Sequence, residues 1–85
     1  MKVWKFRLDP PTEGHVTTVE MPAGAVVLSV AAIGLGLFVW AVCDPTRPPE
    51  ARTFRVVATG VEFEWSGSFL GTAIMGDMVW HVWQT

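Results

Sequence analysis

Residues 24–43, GAVVLSVAAIGLGLFVWAVC, carry no charge, and Ser29 is the one hydroxyl among them. A helix of that length rises ~30 Å, the thickness of a bilayer's hydrocarbon core. The stretch therefore admits two folds: a single membrane-spanning helix, or the interior of a small β domain. Gly34 and Gly36 lie near its middle, and each costs a helix interior roughly 1 kcal/mol relative to Ala. In a strand pair the same Gly-Leu-Gly is the place to turn. Residues 25–32 and 37–43 are then two buried strands of a hairpin turned within 33–36. Lys2, Lys5 and Arg7 precede the stretch and Arg47, Arg52 and Arg55 follow it. No positive-inside asymmetry therefore fixes an orientation. The hairpin is the leading reading, and a membrane span through 24–43 is kept as the third alternative for the protein.

The flanking segments carry strand signals. In residues 2–8, Trp4, Phe6 and Leu8 alternate with Val3, Lys5 and Arg7, the period of two that a half-buried strand requires. Asp9-Pro10-Pro11 ends it, because proline cannot donate to a ladder, and a turn around Gly14 is expected over 12–15. Residues 16–21 form a second short strand. Residues 46–51, TRPPEA, are expected to be a proline-rich loop. In residues 52–59, Arg52, Phe54, Val56 and Ala58 share one face and Thr53, Arg55, Val57 and Thr59 the other. Residues 61–67, VEFEWSG, alternate in the same way, with Glu62 and Glu64 opposite Val61, Phe63 and Trp65. Residues 68–74 and 78–84 read as a last hairpin turned at Met75-Gly76-Asp77. Its second strand has large apolar groups on both faces, so it is either central to a closed sheet or an interface strand. No amphipathic helix is present. The expected fold is all-β: one domain, 1–85, a small barrel or sandwich of about six to seven short antiparallel strands.

Composition bears on assembly. Apolar residues are 51% of the chain and charged residues 16%, with five Trp and five Phe. A domain of 85 residues cannot hide that much apolar surface alone. A homo-oligomer is the expected solution, with Ile33, Leu35, Leu37 and Trp83 as candidate interface residues. Six Lys+Arg against eight Asp+Glu give a net charge of −2, so no general attraction to nucleic acid or to anionic membranes is expected. One cysteine, Cys43, allows no intramolecular disulfide and fits a reducing cytoplasm. Residues 1–8 lack the continuous apolar run of a signal peptide.

The most polar part of this apolar chain is the set Asp44, Glu50, Arg52 and Arg55. Guanidinium groups there suit a phosphate or carboxylate ligand, or they tie the loop to the sheet by pairing with Asp44 or Glu50. His81 and Trp80 complete the candidate ligand-binding residues. The weightier reading of His81 is a satisfied core or interface residue, and that of the five tryptophans is core plus oligomer contact. Two histidines and one cysteine give no metal-ligand spacing, and no cofactor motif is present: Gly34-Leu35-Gly36 lacks the third glycine of a dinucleotide fingerprint. Ser66, in EWSG, lacks the first glycine of a nucleophile elbow. No catalytic constellation emerges, and an enzyme is not expected.

Six blocks then resemble a family of small uncharacterised bacteriophage and prophage proteins: VWKF at 3–6, MPAGAVVLSV at 21–30, VWAVCDP at 39–45, EARTFRVVATG at 50–60, FLGT at 69–72 and MVWHVW at 78–83. The resemblance implies a β-rich fold, and a hairpin in place of Ala31 to Gly36, where the family carries polar residues, often Asn-Gly. This chain departs from it there, and again at Val61-Glu62, where the family has Gly-His. It implies no catalytic residues. It does imply a phage gene product acting in an infected bacterium. Taken with the compact aromatic β domain, the excess apolar surface and the Arg cluster, the leading expectation is a binding protein in the host cell cytoplasm that sequesters a host protein or a small anionic or nucleotide signal. The alternative is a virion component that decorates the capsid or the tail.

Overall fold

The computed structural model describes residues 1–9 and 15–85. The turn expected around Gly14 lies largely outside the described residues. Seven strands follow in chain order: β1 (Lys2–Leu8), β2 (Val16–Pro22), β3 (Val26–Ile33), β4 (Gly36–Cys43), β5 (Pro49–Ala58), β6 (Ser68–Met75) and β7 (Met78–Gln84). They form two antiparallel sheets, β1-β4-β3 and β2-β5-β7-β6. The fold is the all-β, sandwich-like single domain that the alternation predicts.

The uncharged stretch is the β3–β4 hairpin. Ile33 pairs with Gly36, so Gly34 and Leu35 alone make the loop. Gly34 has φ +58°, the left-handed conformation that a two-residue hairpin loop demands at its first position. Among the described residues no helix is long and apolar enough to cross a membrane.

The core lies between the sheets, because the inward faces of the strands are mostly apolar, with Thr17 and Arg52 the polar residues among them. Leu8, Leu37, Val39, Ala41 and Cys43 come from the first sheet; Met21, Phe54, Val56, Ala73 and Val82 come from the second. Val39, Ala41, Cys43, Phe54 and Val82 have no exposed surface at all. The sheets also adjoin along one side, where β3 runs beside β6. A bulge between Phe69 and Gly71 brings β6 so near that a Cβ on Gly71 would sit 3.1 Å from Val30 Cγ1. A side chain there would have to displace Val30 by a few tenths of an ångström.

Three expectations are corrected. Pro49, Glu50 and Ala51 begin β5 rather than end a loop, since Pro49 stands at the start of the strand, where a missing N–H is tolerated. Leu37 is 7% exposed and belongs to the core, because its partner Leu8 faces inward. Residues 61–67 form no strand. Their alternation is real, but among the described residues no ladder partner lies beside them: β7, not this segment, pairs with β5. The last strand, β7, is internal to its sheet, between β5 and β6.

Candidate functional site

A strand sends neighbouring side chains to opposite faces, and this separates the polar residues that look clustered in the chain. Arg52 is on the inner face of β5, in register with Val19, and Arg55 is on the outer face, in register with Val16 and Trp83. Arg52 Nη1 donates to the Ala25 carbonyl at 2.7 Å and Nη2 to Gln84 Oε1 at 2.6 Å. Glu50 Oε1 is 3.9 Å from Nη1. One guanidinium thus ties the β2–β3 turn, β5 and the end of β7 together.

Asp44 does not join it. Its Oδ1 accepts from the Thr46 hydroxyl at 2.7 Å and the Thr46 backbone N–H at 3.0 Å, closing the turn between β4 and β5 with a side-chain bond. The hydroxyl bond first, and the backbone bond second, hold the Asp44 carboxyl below the usual carboxylate range. A carboxyl lowered on folding stabilises the fold above its ordinary pKa, and that contribution is lost as pH falls through the lowered value. Thr46→Val is therefore expected to move the Asp44 titration back toward the ordinary range while the backbone bond persists. A side-chain carboxyl NMR titration checks this, and an unmoved midpoint would deny the hydroxyl its role.

His81 lies on the outer face of β7. Its Nε2 is 2.7 Å from Thr59 Oγ1 and its Nδ1 is 3.0 Å from Thr72 Oγ1. Both ring nitrogens are engaged, one donating and one accepting in a neutral ring. Trp83, beside it, carries Phe63 on one side at 4.9 Å between ring centroids and Phe69 at 5.2 Å. Residues 61–66 therefore run as a strap over this face. Val57, on the same face and outside the main core, is 1% exposed. Trp83 is half-buried in this aromatic group.

Trp80 faces inward, and the fold brings it to residues distant in the chain. At one end of the sandwich, Leu8, Leu35, Leu37, Val56, Met75 and Trp80 wall a cavity of about 170 Å³, with Arg7 and Asp9 beside them. Both two-residue hairpin loops reach this end: Leu35 belongs to β3–β4, and Met75 closes β6 before Gly76. The indole Nε1–H of Trp80 is buried and has no acceptor among the described residues. A buried indole N–H ordinarily has a hydrogen-bond partner. The polar set of the sequence thus disperses, while Trp80, Leu35 and Leu37 converge. Arg7 and Asp9 were missed as site residues. Their signal was only that a strand carrying cations ends in an acid next to proline.

Among the described residues no group of three His, Cys, Asp or Glu is placed to hold a metal ion. A family model described as a domain of unknown function (DUF7352) matches residues 1–85. No curated protein and no solved structure matches the chain.

Proposed function

The chain belongs to the DUF7352 family, and on that premise we propose that it is a non-enzymatic binding protein, encoded by a phage and working as a homo-oligomer in the infected cell. The phage setting rests on the six sequence blocks. The binding role rests on one observation, the apolar end cavity with charged groups at its side. Ligand pockets are concave, mostly apolar and carry a few placed polar groups. A cavity of about 170 Å³ is smaller than the ~300–1,000 Å³ of a drug-sized site and close to the ~150 Å³ that holds benzene. The ligand class is therefore a compact apolar body with an anionic end, a small aromatic or branched carboxylate. The body fills the space between Leu37 and Val56, and the carboxylate draws the Arg7 guanidinium from the Phe38 ring, over which its Cζ lies at 5.9 Å, to the mouth of the cavity.

Benzoate and toluene are suitable probes, followed by amide and indole N–H resonances in NMR titrations. Benzoate is expected to shift the Trp80 indole and the amides of Leu8, Leu37 and Val56. Arg7→Gln should weaken benzoate about tenfold, from the loss of one exposed charge-assisted contact, and leave toluene unchanged. No shift with either probe at millimolar concentration would sink the proposal.

A second reading, a virion component, is favoured by the exposed apolar tips. Leu35 is 85% exposed, Ile74 72% and Ile33 52%, more than a monomer ordinarily leaves together at one end. Mass spectrometry of purified particles separates the readings: presence in the particle supports this one, and absence removes it.

A further inference from the structure

Residues 61–67 carry strand periodicity in the sequence and no ladder in the fold. The backbone of residues 62–66 makes no hydrogen bond among the described residues. At the other side of the molecule, β1 is the edge of its sheet, hydrogen-bonded among the described residues to β4 alone. Lys2, Val3, Trp4, Lys5 and Arg7 of β1 are all exposed. A long exposed edge offers a row of unpaired N–H and C=O groups that templates another strand.

The two segments match in length and in charge. Lys5 and Arg7 share the outer face of β1, where Lys5 Nζ lies 5.0 Å from the Phe38 ring centroid and Arg7 Cζ lies 5.9 Å from it. Their register partners in β4 are Trp40 and Phe38, neither of them acidic. Glu62 and Glu64 are exposed on alternate positions of the strap. An antiparallel register that sets Lys5 opposite Glu64 also sets Arg7 opposite Glu62. It brings Trp4, 40% exposed, opposite Trp65, 78% exposed. Opposite charges and paired aromatics across neighbouring strands both stabilise a ladder.

We infer that the β1 edge of one molecule takes residues 61–66 of a second copy as an added antiparallel strand. The chain's own strap is held on the far sheet by Phe63 against Trp83, so the segment that reaches β1 comes from another molecule. The inference rests on the reading that the protein self-associates and not on the end cavity.

Sedimentation velocity over a concentration series tests it, at low salt and in molar salt. The wild type is expected to exceed its 9.3 kDa chain mass and to dissociate more readily in salt, because exposed pairs are screened. Lys5→Glu, or Glu64→Lys, should weaken association roughly tenfold through like charges placed opposite each other. The double variant Lys5→Glu/Glu64→Lys should regain it, whereas Lys5→Glu/Glu62→Lys should not. A wild type that stays monomeric overturns both this inference and the oligomer reading. An oligomer indifferent to Lys5→Glu, or one that Ile33→Asn dissociates instead, overturns this inference alone and assigns the contact to the hairpin tip.

Discussion

Phe54→Ala is expected to remove most of the stability of this domain. Phe54 is fully buried on the inner face of β5, a strand flanked by β2 and β7. Truncating a buried phenylalanine costs ~3–5 kcal/mol, from lost transfer energy and from the cavity left behind. Whole domains hold only ~5–15 kcal/mol, and one this small sits low in that range because it buries a smaller share of its surface. Urea unfolding followed by circular dichroism should show a far lower midpoint with an unchanged slope. Ile74→Thr, at a site 72% exposed, is the control and should stay within about 0.5 kcal/mol. A Phe54→Ala loss no larger than the control's would mean that the two sheets do not close on this ring.

Arg52→Met should cost the next most, about 2–4 kcal/mol. The methionine keeps the apolar stem but leaves the Ala25 carbonyl and Gln84 Oε1 without their donor. Hydrogen bonds to charged groups contribute ~1.5–3 kcal/mol each, and a part-buried acceptor left unmatched adds its own penalty. Arg52→Lys should recover only part, since an ammonium does not reproduce the fixed fork that spans two acceptors. Glu50→Gln should cost under about 1 kcal/mol, because the pair is 3.9 Å apart and the Glu50 side chain is 51% exposed. The same urea experiment ranks the three. An Arg52→Met loss equal to that of Glu50→Gln would free Arg52 from its structural role and return it to the groups a ligand can use.

The two largest effects differ in how visible they were in the chain. Phe54 was legible as an inward residue, because alternation through Arg52, Phe54 and Val56 assigns one face whatever the sheet order. The role of Arg52 was not. Its proximity to Asp44, Glu50 and Arg55 in sequence suggested one polar cluster, but Asp44 closes its own turn with Thr46 and Arg55 points to the other face. The partners of Arg52, Ala25 and Gln84, stand 27 and 32 residues away. His81 was legible as a satisfied residue, yet the two threonines that satisfy it are set by register with β6 and by the turn after β5. The cavity was hidden for the same reason: Leu37 and Trp80 are neighbours only after two hairpin ends meet.

Residues 61–67 show the limit most clearly. Local pattern specifies that a segment can be a strand, but a strand exists only when a second backbone supplies its hydrogen bonds. The ladder position beside β5 goes to β7, and the segment is left as a strap with its pattern unused by its own chain.

The sequence by itself determined the local grammar of this protein. It fixed an all-β fold, the hairpin turned at Gly34, the inward faces of the strands and the excess of apolar surface, because these follow from side-chain alternation and from glycine's access to positive φ. Only the tertiary structure decided the order of strands in the two sheets, the partners of Arg52 and His81, the cavity beneath Trp80 and the absence, among the described residues, of a ladder for residues 62–66. Those depend on which backbones meet, and long-range pairing is chosen by the packing of the whole core rather than by any segment's own preference.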